Sequence, residues 1–305
     1  MNQSLPPGLP DSATTTYLID ASIYIFRSWF GIPDHFFDDA GRSVNAVYGY
    51  MAFLLRFLSQ VRPDKVLVAF DESLFSGFRH QLYAPYKATR ALPDESLAFQ
   101  LQTCQQLTRW LGLTTVASSV YEADDLIASV ARRRRQRGDG VVVLSSDKDL
   151  AQIIGPQDFL WDYHGDKLLD KTALDKAWGF DASRVADYLA VVGDSVDNIP
   201  GLPGIGAGTG RKLFARFDSL ESLYDNLESL DSRVLRGAAR IQQILVDQRE
   251  QAWLFRELTR LRDTVKCPWG DRAVKLRSHD TDALRDWWQH SGLRRVLRMD
   301  AFLAG

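Results

Sequence analysis

At 305 residues, 45% hydrophobic and 25% charged, the chain has the makeup of a globular protein with room for one large domain or two moderate ones. No stretch reaches the roughly 20 apolar residues that span a bilayer, and the opening MNQSLPPGLPDSATTT has neither the basic start nor the apolar run of a signal peptide. Membrane and exported classes are set aside, a cytoplasmic protein is expected, and residues 1–15 are expected to form a flexible tail. Cys104 and Cys267 show no metal-binding spacing and fit a reducing compartment. The net charge of −2 does not exclude nucleic acid. Setting aside nine acids gathered below leaves 30 acids against 37 Lys and Arg, a formal +7 on the remaining surface.

The first half alternates strand and helix patterns. Thr16–Ile19 reads as a short strand ending at Asp20, and VYGYMAFLLRFL as a long apolar helix. Lys65–Phe70 and Val141–Leu144 are further strands, stopping at Asp71 and just before SSDKDL. This is an α/β pattern: a mostly parallel sheet with helices on both faces. Ligands of such sheets sit beyond the carboxyl ends of the strands, where these aspartates fall. Residues of about 72–100, with two prolines, several cations and no clean period, are expected to form an excursion above the sheet.

From about residue 181 the pattern turns helical. Val185, Tyr188, Leu189 and Val192 follow the i, i+3, i+4, i+7 rule, and SLESLYDNL and TDALRDWWQH carry similar stripes. Trp287 and Trp288 are expected in the core. The expected division is an α/β unit over 1–183 and a helical unit over 184–305.

The chemical signal is a set of acids: Asp20 and Asp71 after strands, Glu122, Asp124 and Asp125 in YEADDL, Asp147 and Asp149 in SSDKDL, and Asp194 and Asp197 in GDSVDN. Singly, each has an ordinary explanation as a helix cap, a dipole partner or a turn former. Together they are harder to dismiss. Glu122 and Asp125 share a helix face by their spacing, leaving Asp124 to reach any common site from the edge. If all converge, their repulsion keeps some protonated unless cations lie among them. An all-oxygen donor set without His or Cys suits two Mg²⁺ ions, with Mn²⁺ able to substitute, rather than Zn²⁺. Such a pair, roughly 4 Å apart, clamps a scissile phosphate.

Arg27 follows Asp20 by two helical turns, and Lys87 and Arg90 stand three apart in YKATR beside Tyr86, which is taken as a DNA-contacting candidate. Cations there can offset charge on a phosphate; a solvated basic face is the equally simple reading. The run Arg132–Arg135 with Arg137 is read as solvated surface near a helix C-terminus. The hairpin IPGLPGIGAGTGRK matches neither GxxxxGK[ST] nor GxGxxG. It remains a tight turn opening a helix whose amides can grip phosphate, with Gly204, Gly206, Gly208, Arg211 and Lys212 as the contacting residues.

YLIDAS, NAVYGY, AFDES, YKATR, EADDLIAS, SSDKDL and GDSVDNIPGLPGIG stand in an order that resembles the 5′ nuclease family: flap endonucleases and the 5′-nuclease domain of bacterial DNA polymerase I. The resemblance runs from Tyr17 to about Trp288. It implies a first metal site of Asp20, Asp71, Glu122, Asp124 and Asp125 with Asp147 and Asp149, and a second of Asp194 and Asp197 aided by these last two. It implies phosphate contacts at Arg27, Lys87 and Arg90, a helical arch over the excursion, and a helix-three-turn-helix region that grips duplex DNA and in relatives often binds K⁺. Ala207-Gly208-Thr209-Gly210 departs from the usual sequence of that hairpin. The resemblance further implies two-metal hydrolysis at 5′ flaps or ends of branched or 5′-ended DNA, including RNA-primed DNA, in replication and repair, by a monomer associated with a bacterial-type nucleoid. The start at Met1 leads to the expectation of a stand-alone nuclease rather than a polymerase fragment.

Overall fold

The computed structural model describes residues 5–72, 76–89, 93–231, 233, 235–266 and 274–303. Among these, six strands form one sheet: β1 Thr15–Asp20, β2 Val66–Asp71, β3 Thr114–Ser118, β4 Gly140–Leu144, β5 Phe159–Asp162 and β6 Lys167–Asp170. Their order is β3-β2-β1-β4-β5-β6, parallel except for β6, which runs antiparallel to β5. The helices of this half are α1 Ala21–Gly31, α2 Asn45–Val61, α3 Phe78–Leu82, α4 Glu95–Trp110, α5 Ala123–Arg135 and α6 Lys171–Trp178. A second, helical half follows with α7 Val185–Val192, α8 Ala207–Arg216, α9 Leu220–Asp225, α10 Ala238–Asp247, α11 Arg249–Thr259, α12 Thr281–His290 and α13 Asp300–Leu303. None of the described helices is long and apolar enough to cross a membrane.

Strand alternation divides the core into two layers. Leu18, Leu67, Ala69, Val116, Val141 and Val143 face α5 and share a buried cluster with the helical half. Tyr17, Ile19, Val66, Val68, Val142 and Leu144 point the other way, onto α1, α2 and α4. Burying each aliphatic side chain contributes about 1.5–3 kcal/mol, which is why strands covered on both faces read as continuous apolar runs. Since β1 pairs with β2 on one side and β4 on the other, successive connections leave it in opposite directions. That switch point opens a crevice at the carboxyl ends of the central strands.

The three expected strands are all present: β1 is longer by one residue at each end, β2 is shifted by one residue, and β4 starts one residue earlier. β3, β5 and β6 went unread because TTVAS, FLWD and KLLD are too short and mixed to show a period. The excursion ends earlier than expected. Asp94 caps α4 by accepting from the Leu97 amide at 2.8 Å, and Leu97, Gln100, Cys104 and Leu107 form a buried helical stripe. Residues 95–100 therefore belong to the core. The N-terminal tail is also shorter than expected: Asp11 caps a 3-10 turn at Ser12–Thr14, and Thr15 already lies in β1. Trp287 and Trp288 are partly buried against the α2–α4 core, as expected.

The arginine run is not simply solvated surface. Arg134 is buried and pairs with Asp139, Arg132 with Asp263 and Arg135 with Asp158. Burial alone would raise the Asp139 carboxyl, but Lys65, Arg134 and the Thr16 hydroxyl outweigh it and hold its pKa below the ordinary value. A depressed carboxyl stabilises the fold above its unfolded pKa and loses that contribution as pH falls through the folded value. The stability gap between wild type and Asp139→Asn is therefore expected to be constant above about pH 5 and to close below about pH 3.9. Urea unfolding at a series of pH values measures it; a gap independent of pH down to 2 would contradict the assignment.

Candidate active site

The crevice collects the carboxylates in a graded way. Asp20 ends β1 and caps α1, with Oδ1 accepting from the Ser22 amide at 3.1 Å and Oδ2 from the Ser145 hydroxyl at 3.0 Å. Asp71 ends β2; its Oδ1 accepts from the Ala123 amide at 2.7 Å and its Oδ2 from the Ser22 hydroxyl at 3.3 Å. Ser145 also accepts from the Asp147 amide at 3.0 Å, so one hydroxyl ties the β1 acid to the β4 loop. Asp147 then caps the next turn, accepting from the Asp149 amide at 2.8 Å.

Burial and repulsion act together on this group. Asp20 is pushed up to about 7, by burial first and by Asp71 next, against the Ser145 hydrogen bond. Burial, then Asp147, Asp20 and Asp71, drive Asp124 well above the carboxylate range. Asp71 is raised by burial and Glu122, with Lys87 opposing. Asp147 is raised by burial and Asp197, and Asp149 by burial, Asp147 and Asp194. Asp147 thus belongs to both halves of the cluster. Asp149 Oδ1 is buried without a hydrogen-bond partner.

The remaining acids are compensated by nearby cations. Lys87 Nζ donates to Glu122 Oε1 at 2.8 Å and lies 3.7 Å from Asp197 Oδ2. Lys148 Nζ stands 2.9 Å from Asp194 Oδ2. Burial would raise Glu122, but Lys87 and Arg79 outweigh it and the carboxyl is held low. Among the described residues no three acids are already close enough to clasp an ion. Lys87 and Lys148 stand instead against Glu122, Asp197 and Asp194.

Two expectations about the acids are revised by this geometry. Asp124, expected at the edge, lies near enough to Asp147, Asp20 and Asp71 for their charges to raise its carboxyl. Asp125 shares the expected helix face with Glu122, since Arg79 Nη1 lies against both carboxylates, but it is fully buried in its ion pair with that arginine. Glu122, as the N-cap of α5, and Asp125, three residues on, close a capping box in which the Asp125 carboxylate accepts from the Glu122 amide at 3.1 Å.

The basic residues divide as well. Lys87 reaches the acids. Arg27 does not; it lies in a separate hollow of about 290 Å³ with Arg56 and His164, on the α1–α2 side. Arg90 lies outside the described residues. Tyr86, expected to contact DNA, is 1% exposed, and its hydroxyl donates to Glu122 at 3.1 Å and Asp197 at 2.9 Å. It braces the site from within. Gly204, Gly206, Gly208, Arg211 and Lys212 are all exposed on the hairpin and the first turns of α8. Gly206 caps α8 without a side-chain acceptor, and a Cβ added at Gly206 or Gly208 would meet open space. The protein itself does not require glycine there, which leaves room for an outside backbone to approach. Ser22, Ser145, Arg79 and Lys148 were missed by sequence reasoning; only Lys148, between Asp147 and Asp149, carried a signal.

The excursion docks on the loop after α7. Lys87 N donates to Asp197 O at 3.0 Å and Asn198 Nδ2 to Pro85 O at 2.6 Å. Lys87 and Asn198 both hold left-handed backbone, at φ 50° and 56°, a strain of about 1–3 kcal/mol each that surrounding contacts must sustain. Gly193 and Gly201 close the base of this loop. A Cβ at Gly201, where φ is +67°, would lie 2.4 Å from the Gly193 nitrogen. Gly201→Ala is expected to destabilise the protein by about 2 kcal/mol or more. A wild-type melting temperature would contradict this.

The 5′-3′ exonuclease N-terminal resolvase-like model matches residues 15–179, and the C-terminal SAM-fold model of the same exonucleases matches residues 180–282. The chain belongs to the 5′-3′ exonuclease family. It is a nuclease. A 5′-3′ exonuclease of Aquifex aeolicus is 28% identical over 93% of this chain and 94% of its own length. DNA polymerase I of Rhizobium leguminosarum is 34% identical over 82% of this chain, which spans 24% of that polymerase. Among solved structures, a bacteriophage T5 flap endonuclease in complex with DNA and metal ions shares the fold at 18% identity (TM-score 0.64), covering 92% of this chain and 96% of its own. The catalytic core of Rad2 with DNA substrate does so at 17% identity (TM-score 0.57), over 94% and 90%.

Proposed function

We propose that this exonuclease is a structure-specific 5′ nuclease that hydrolyses DNA phosphodiesters at 5′ flaps and ends, using two Mg²⁺ ions held by its carboxylates. The observation that carries the reading is the gathering of Asp20, Asp71, Asp124, Asp147 and Asp149 at the sheet's switch point, where burial and mutual repulsion raise their carboxyls despite Lys87 and Lys148 nearby. Buried oxygens that repel one another, one of them unpartnered, suit hard divalent cations. Asp20, Asp71, Asp124 and Asp147 would hold the first ion, and Asp149, Asp194 and Asp197 the second, with Glu122 at the border. Bound there, such ions supply Lewis acidity for the phosphate and acidify the attacking water.

The chain's own residues do the rest. Ser22, Ser145 and the Ala123 amide fix the carboxylates of Asp20 and Asp71 before substrate arrives. Lys87, on the excursion, brings positive charge to the rim of the cluster. A hollow of about 360 Å³ bounded by Ser145, Lys148, Lys167 and Arg211 links the cluster to the α8 hairpin. A duplex backbone held at the hairpin amides lies along that path to the cut site, and backbone grips select structure rather than sequence. The free amides at α8 suit phosphate and not a cation, so K⁺ at the hairpin is not carried forward. All the carboxylates come from one chain, which fits a monomer. A boundary near residues 179–184 separates nuclease and duplex-gripping units, and a substrate of this kind implies work at the nucleoid.

Cleavage of an end-labelled 5′-flap duplex with Mg²⁺ tests the reading. Cutting near the junction is expected, abolished by Asp71→Asn and weakened by Asp197→Asn. Tight flap binding without cutting in Mg²⁺ or Mn²⁺ would turn the reading into that of a branch-binding module, and cutting of RNA flaps alone would make it an RNA-processing nuclease.

A further inference from the structure

Arg79, on α3 at the root of the excursion, is 2% exposed. A guanidinium has five N–H donors, and here each finds an acceptor. Nε donates to Leu258 O at 2.7 Å, and Nη2 to Asp125 Oδ1 at 2.8 Å and Arg260 O at 3.1 Å. Nη1 donates to Asp125 Oδ2 at 2.6 Å and Glu122 Oε2 at 3.4 Å. Asp125 is equally engaged. Besides the two arginine bonds, Oδ1 accepts from the Arg262 amide at 2.8 Å and Oδ2 from the Glu122 amide at 3.1 Å. A carboxylate offers about four lone-pair positions, so none is left for an ion. The carbonyls of Leu258 and Arg260 belong to the end of α11, where the helix leaves them unpaired and its dipole favours a cation. Three separate pieces of chain meet on one side chain: the excursion, the start of α5 and the end of α11.

We propose that Arg79, acting through Asp125 and Glu122, is a positioning residue for the nuclease reaction, and that Asp125 is its ion-pair partner rather than a metal ligand. Glu122 carries the connection. Its Oε2 takes Arg79 and the Tyr86 hydroxyl, and its Oε1 takes Lys87. Fixing the root of the excursion and its contact carboxylate with one group sets where Lys87 stands over the cluster. The inference rests on the reading under Proposed function, since positioning has meaning only for a reaction at that cluster.

The test compares Asp125→Asn, the paired replacement Arg79→Met with Asp125→Leu, and Asp124→Asn as ligand control. Mn²⁺ binding is measured without DNA, by calorimetry, and single-turnover flap cleavage is measured in Mg²⁺. Removing one member of a buried pair strands the other charge, whereas replacing both by apolar groups is often tolerated. The paired variant therefore decides the matter if Asp125→Asn fails to fold. Mn²⁺ affinity is expected within about 3-fold of wild type in the Asp125 variants and weaker by at least about 10-fold in Asp124→Asn. The cleavage rate constant is expected to fall about 10²-fold in the Asp125 variants, as misplacement by an ångström does, with flap affinity little changed. On a Lys87→Ala background the paired replacement adds little further loss, because groups acting as a unit are not additive. Loss of Mn²⁺ in the paired variant equal to that in Asp124→Asn would make Asp125 a ligand. Wild-type cleavage by that variant, or full additivity with Lys87→Ala, would reduce the pair to a structural role. Failure of the wild type to cut any flap would instead overturn the proposed function, while the Mn²⁺ arm still decides the role of Asp125.

Discussion

Asp124→Asn is expected to lower the flap-cleavage rate constant by about 10³-fold or more, the several kcal/mol that a well-held cation contributes to transition-state charge. It is also expected to stabilise the metal-free protein. Burial and then the charges of Asp147, Asp20 and Asp71 raise the Asp124 carboxyl far above its ordinary value. A carboxyl raised on folding contributes stability below its unfolded pKa of about 3.9, and that contribution is lost as pH rises, because the unfolded chain gives up the proton more readily. In EDTA at pH 8 the variant therefore melts above wild type, by roughly 2 °C or more, and the gap narrows towards pH 5. Adding Mg²⁺ reverses the order, since wild type gains RT ln(1 + [L]/Kd) from ions that the variant holds poorly. Melting curves with and without EDTA check both statements. A variant less stable than wild type in EDTA at pH 8 would show that Asp124 is not under repulsion.

Lys87→Ala carries the second large effect. Its ammonium bonds Glu122 and lies near Asp197, so in the absence of cations it neutralises acids that cations would otherwise engage. With the cluster loaded, the same group is released towards a phosphate at the rim. Removing one such electrostatic donor costs about 10²- to 10³-fold in rate. Flap affinity should change by less than about 3-fold, because the hairpin grip is remote and binding felt equally in ground and transition states does not alter kcat. Single-turnover rates and flap titrations separate the two. An unchanged rate with weakened binding would move Lys87 from the reaction to the grip.

How much of this was legible beforehand depended on how local each signal is. Strands β1, β2 and β4 could be read because burial on both faces demands runs such as KVLVAF and VVVL, and each run ends at or near an acid. β3, β5 and β6 could not, since segments as short as TTVAS, FLWD and KLLD towards the sheet margins carry no such run. YEADDL shows that spacing places residues on a helix only once the helix start is known. With Glu122 as the N-cap, Glu122 and Asp125 keep one face as the i, i+3 rule reads, but that face meets Arg79, and Asp124 is the residue set near Asp20, Asp71 and Asp147.

The sequence by itself determined the α/β pattern, the inventory of oxygen donors at strand ends and helix starts, the glycine hairpin, and through their order the family. These follow from local chemistry: the period of burial, the donors a cation needs, and the backbone freedom of glycine. Only the tertiary structure decided which acids face one another, that Lys87 and Lys148 stand among them, that Tyr86 is enclosed while Arg27 lies elsewhere, and that Arg79 occupies Asp125. Those depend on distances between segments tens of residues apart in the chain, as with the 35 residues separating Lys87 from Glu122 and the 46 separating Arg79 from Asp125. Pairing across such gaps is set by how the sheet and the two core layers pack, and no local period records it.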